Sequence, residues 1–86
     1  MSRGISMRVE ERSDRILDCI GLYCPEPIFR TRKELDTMDG GQVLEVVADD
    51  PAAEGDIISL ARRTGQQIIG IRKEDGAVRI WIKKVV

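Results

Sequence analysis

The three prolines of this chain, Pro25, Pro27 and Pro51, all stand where an apolar run gives way to helical spacing. Proline has a φ already suited to a helix and lacks an N–H. It therefore fits the first helical turn, where the N–H groups have no intrahelical partner in any case. Two helix starts are marked in this way, Cys24-Pro25-Glu26-Pro27 and Asp49-Asp50-Pro51, the second with an aspartate cap ahead of its proline. Arg15–Cys19 and Gln42–Ala48 precede them and read as strands, the first alternating Leu17 and Cys19 on one face with Ile16 and Asp18 on the other. Ile20 to Tyr23 is loop, in which Gly21 permits a tight backbone path.

The spacing predicts a first helix over Pro25–Met38, with Ile28, Thr31, Leu35 and Met38 inward, Phe29 widening that stripe, and Arg30, Arg32, Lys33 and Asp36 outside. Gly40-Gly41 is the expected stop. The second helix turns Ala53, Ile57, Leu60, Ala61 and Thr64 inward and ends at Gly65. Gly55 inside it costs ~1 kcal/mol relative to alanine, and a close packing contact is the one reason its position suggests. Gln67–Lys73 and Ala77–Lys84 flank Asp75-Gly76, a dipeptide that supplies positive φ to a tight hairpin turn. The implied register pairs Lys73 with Val78, Ile71 with Ile80 and Ile69 with Ile82 on one face. On the other it pairs Arg72 with Arg79, Gly70 with Trp81 and Ile68 with Lys83. The expected fold is α+β, a two-layer sandwich in the order β-α-β-α-β-β, with a four-stranded mixed sheet and both helices on one face. Residues 1–14 read as a flexible N-terminal extension, an added edge strand through Ile5, Met7 and Val9 being the alternative, and residues 15–86 as one domain.

A chain of 86 residues leaves no room for a separate cofactor domain, and none is expected. With 42% hydrophobic and 34% charged residues it has the composition of a folded soluble domain. A net charge of -1 gives no overall pull toward nucleic acid or anionic lipid. No apolar run reaches the roughly 20 residues that span a bilayer, and no signal-peptide core is evident, so the expected compartment is the cytoplasm. With no histidine and two cysteines, a zinc site is not expected either.

Cys24 is the residue with chemistry to offer. At or next to the N-cap, its sulfur meets unpaired N–H groups and the positive end of a helix dipole, which favour the nucleophilic thiolate. Glu26, and Asp49 and Asp50 if close, oppose that shift. The competing reading is a cysteine serving as a small buried hydrophobe.

Asp18-x-x-Gly21-x-x-Cys24-Pro25-x-Pro27, followed by a helix, a hydrophobic strand and Ala48-Asp49-Asp50-Pro51, resembles the TusA/SirA family of small sulfur-carrier proteins from about Ile16 to Lys84. The resemblance implies a sulfurtransferase-type carrier in which Cys24 accepts a sulfane sulfur as a persulfide, within a supporting motif of Gly21, Pro25, Glu26 and Pro27. It implies a donor protein of the cysteine desulfurase or rhodanese-like kind. It also implies an acceptor in another relay protein or in tRNA-thiolating, molybdenum-cofactor or sulfur-metabolic machinery, and possible partner docking by Arg32, Lys33 and Asp50.

Other readings remain beside it. Cys19, four residues from the motif, is either a core residue of the first strand or a resolving thiol that makes a redox switch with Cys24. Asp50 is explained as a helix cap and Asp49 as a solvated loop residue. Trp81 among Arg72, Arg79 and Lys83 marks either a wet sheet face or an RNA- or partner-binding surface. A monomer is expected, with a dimer as the alternative.

Overall fold

The computed structural model describes residues 13–86 and arranges them as β1 (Arg15–Cys19), α1 (Glu26–Asp36), β2 (Val43–Ala48), α2 (Ala53–Thr64), β3 (Gln67–Glu74) and β4 (Ala77–Lys83). The expectation of an extension over residues 1–14 lies, for its first twelve residues, outside the described part. The strands form one mixed sheet in the order β1-β2-β4-β3, β1 parallel to β2 and the other neighbours antiparallel. Strand alternation sends Leu44, Val46 and Ala48 of β2 and Val78, Ile80 and Ile82 of β4 to one face. There they join Leu35 of α1 and Ala53, Ile57 and Leu60 of α2 in a single core. Both helices therefore cover the same face, and the α+β sandwich is the one expected.

Local differences have identifiable causes. α1 begins at Glu26 with Pro25 as its N-cap, so Cys24 stands one residue ahead of the cap. The helix ends at Asp36, and Met38 is carried into the core by a tighter turn in which Thr37 and Met38 donate to Glu34 and Leu35. Gly40-Gly41 comes after that stop, and Gly41, at φ +93°, brings its N–H to the carbonyl of Lys84 at 2.7 Å. Phe29 does not widen the buried stripe; it is 62% exposed. Pro51 and Ala52 form a turn ahead of α2, whose C-cap Gly65 is left-handed as expected.

Asp75 and Gly76 both have positive φ, and the register from Gly70–Trp81 to Lys73–Val78 is the expected one. Below it a bulge intervenes at Ile69. Ile68, not Ile69, pairs with Ile82, and Gln67, not Ile68, pairs with Lys83. A bulge inserts one residue that no turn chemistry announces, and here it returns Ile68 to the helix-facing side, against the core.

The other face of the sheet is exposed at Ile16, Asp18, Arg72 and Lys83 but buried at its centre. Trp81 is 2% exposed, with the Arg72 guanidinium 5.5 Å from its ring centroid. Beside it Glu45 is buried, ion-paired to Arg79 and hydrogen-bonded by Ser13 Oγ at 3.1 Å.

Candidate functional site

Because β1 and β2 run parallel with Cys19 opposite Ala48, both strands end at one edge of the sheet, and the two proline-marked turns meet there. The edge is assembled by carboxylates acting on backbone. Asp18 Oδ1 accepts from the Ile20 N–H at 2.9 Å, turning the chain out of β1. Gly21, at φ +82°, takes the left-handed conformation that the turn needs, and its N–H donates to Asp49 Oδ1 at 3.0 Å. Asp50 does two jobs at once. Its Oδ1 accepts from the Ala52 N–H at 3.2 Å, an aspartate turn ahead of α2, while its Oδ2 accepts from the Cys24 N–H at 2.7 Å. Both aspartates are thus crosslinks between the two turns, more than the solvated residue and local cap that spacing suggests.

The result is an exposed Cys24 on a fixed backbone. Pro25 follows it through a cis peptide bond, Glu26 opens α1 and pairs with Arg30 at 3.3 Å, and Pro27 is fully buried under the helix start. Ile20 and Tyr23, in the loop that leads to Cys24, are exposed, Tyr23 by 68%, as is Phe29 farther along α1. A groove of about 500 Å³ runs beside α1 between Leu17, Phe29 and Lys33. Arg32 and Lys33 are exposed on α1, and Arg32 stands about two helical turns from Cys24.

The electrostatics differ from the helix-start expectation. The Cys24 thiol is held above its ordinary value of 9.0, first by its hydrogen bond to the Asp56 carboxylate, then by partial desolvation and by the charges of Asp56 and Asp50. A thiol that donates to a carboxylate is stabilised in its protonated form. Asp56 is a residue that sequence reasoning missed. It sits in the first turn of α2 as one of two acidic residues there, which reads as ordinary helix-dipole compensation; only the packing of α2 beside α1 brings it to the sulfur.

Cys19 is sealed in the core at 0% exposure, and burial pushes its thiol up, with Arg30 opposing and Asp18 adding. It contributes neither access nor thiolate at this edge. Among the described residues no group of three or more His, Cys, Asp or Glu side chains is arranged to hold a metal ion, and no helix is long and apolar enough to cross a membrane.

The model of one protein family, sulfurtransferase TusA, matches residues 15–84, which is every strand and both helices. The chain belongs to the TusA family. The sulfur carrier protein TusA of Allochromatium vinosum is 42% identical over 71 residues, 83% of this chain and 93% of its own. A provisionally named sulfur carrier protein from Archaeoglobus fulgidus is 50% identical over 70 residues, 80% of this chain and 91% of its own. Among solved structures, a SirA-like protein from Desulfitobacterium hafniense superposes with a TM-score of 0.73 at 25% identity, covering 84% of this chain and 99% of that one. The TusA match contains the whole Cys24 edge, including Asp49, Asp50 and Asp56.

Proposed function

We propose that this TusA-family protein carries sulfane sulfur as a persulfide on Cys24 and passes it between proteins. The observation that carries the reading is an exposed cysteine on a backbone pinned through its own N–H, next to an exposed Tyr23, in a chain that matches the TusA model over residues 15–84. In loading, the Cys24 sulfur attacks the terminal sulfur of a donor persulfide. The donor's S–S bond breaks, its cysteine leaves as thiolate and is protonated, and Cys24 holds the S–S bond. Unloading is the same exchange with an acceptor thiolate. No electrons are gained or lost overall, so neither cofactor nor metal is required.

A donor of the cysteine desulfurase or rhodanese-like kind and an acceptor in thiolation, cofactor-building or sulfur-metabolic machinery complete the relay. Arg32, Lys33 and Asp50 are the docking residues, and the cytoplasm is the compartment in which Cys24 rests as a thiol. The burial of Cys19 argues against a Cys19–Cys24 switch, and the burial of Trp81 argues against base stacking on the sheet. The test is mass spectrometry after incubation with a persulfide donor. Wild type should gain the mass of one sulfur that Cys24→Ser does not; equal gain, or none in either, contradicts the proposal.

A further inference from the structure

Both helices lie on one face of the sheet, so Trp81, on the other face, has neither of them over it. Its ring is nonetheless 2% exposed, and Glu45, its partner across β2 and β4, is buried as well. The Arg72 guanidinium reaches the ring but is itself exposed, and Gly70, opposite Trp81 in β3, has no side chain to add. The indole Nε1 is buried without a hydrogen-bond partner among the described residues, and a buried donor left unpaired is costly. Such a ring calls for a cover that also carries an acceptor.

The route of the chain into β1 shows where a cover can come from. The Asp14 N–H donates to the Val43 carbonyl and Asp14 Oδ2 accepts from the Val43 N–H, both at 2.8 Å, and the backbone bends there. Just ahead of the bend Ser13 Oγ donates to Glu45 Oε1 at 3.1 Å. The chain thus enters β1 from over the outer face, one strand spacing of about 4.8 Å from Trp81. Twelve residues precede Ser13. Extended, at about 3.3 Å each, they reach roughly 40 Å, far more than the three strand spacings of the sheet.

We propose that residues 5–13 lie extended across the outer face of the sheet and form the cover of Trp81. With Ser13 turned to Glu45, strand alternation turns Glu11, Val9 and Met7 to the sheet as well, and Arg12, Glu10 and Arg8 to water. The apolar pair then packs on Trp81 and on the half-buried Val43 and Val47, which share the face of Glu45 in β2. Glu11 brings a carboxylate to a face that carries Arg79 and Lys83 and an indole N–H in need of an acceptor. Ser13 is what favours this segment over a second copy of the chain, because it already leads onto the face. The family match begins at Arg15, so the cover stands apart from the persulfide reading. Its effect is to close the outer face and leave the Cys24 edge and α1 to partners.

Trp81 is the only tryptophan, so its emission reports on the cover directly. Acrylamide quenching is measured on the full chain for wild type, Met7→Asp, Val9→Asp and Ser6→Asp, the last at an outward position, over a series of protein concentrations. Wild type should resist quenching at every concentration. Met7→Asp and Val9→Asp should raise the quenching constant severalfold and move the emission to the red, and Ser6→Asp should change neither. Ready quenching of wild type, equal quenching in all four proteins, or an effect of Ser6→Asp as large as that of Val9→Asp overturns the proposal. Protection of wild type that is lost on dilution gives the cover to a second copy and overturns it too. Should Val9→Asp lose its folded circular dichroism, Val9→Ser and Glu11→Gln are read in the same way. None of these readouts involves Cys24, so a failure of the persulfide reading and a failure of the cover are separately visible.

Discussion

At the scale of single residues, two thiols of one chain are set apart by packing alone. Cys24 is exposed, whereas Cys19 is sealed in the core. In the native protein a disulfide reagent should therefore titrate one thiol promptly, lost in Cys24→Ser, and the second only after denaturant is added. Prompt reaction of both would contradict the burial of Cys19. Thr31 offers a second check, since its Oγ1 is buried without a hydrogen-bond partner among the described residues. An unpaired buried hydroxyl gives little to stability, so Thr31→Val should be neutral or stabilising by up to ~1 kcal/mol in chemical denaturation. A loss of 2 kcal/mol or more would mean that the hydroxyl has a partner after all. The place of the exposed cysteine is legible in the sequence because prolines mark the helix start next to it. The direction of its pKa is not, because Asp56 lies 32 positions along the chain and reaches the sulfur only through the placement of α2.

Elements are legible to the extent that their signals are local. Proline, the left-handed Gly65 and the Asp75-Gly76 turn act within a residue or two, and the elements they bound stand where expected. The bulge at Ile69, which keeps Ile68 against the core, and the outward Phe29 carry no local mark in the sequence. Gly55 has no structural use that packing reveals, since nothing lies within 4 Å of where its Cβ would be. Gly55→Ala should thus stabilise α2 by about 0.5–1 kcal/mol, read from the denaturation midpoint. Gly65→Ala should do the opposite. At φ +81° a side chain is strained, and the new Cβ would meet Val86 Cγ2 at 3.2 Å.

Across the whole molecule, the two faces of the sheet are stabilised differently. The helix-facing side is an apolar core, whereas the opposite side rests on the buried ion pair of Glu45 with Arg79 beside Trp81. Arg79→Met should cost about 2 kcal/mol, less than for a fully buried pair because Arg79 is partly exposed. Stability should also fall in alkali. Both thiols hold their protons more tightly in the folded state than at the ordinary value of 9.0, so the native state binds more protons than the unfolded chain above that pH. Their contribution is whole below about pH 9 and is lost as pH rises through the folded values. Cys19→Ala should flatten that alkaline limb.

The central claim is that sulfur moves on and off one atom. Its most direct measurement is to load the protein with radiolabelled sulfane sulfur, isolate it, and follow the label into an acceptor thiol, using wild type, Cys19→Ser and Cys24→Ser. One label per chain, carried equally by wild type and Cys19→Ser, absent from Cys24→Ser and recovered on the acceptor, is the predicted result. Label that persists in Cys24→Ser, or that needs Cys19 to leave the protein, would contradict it.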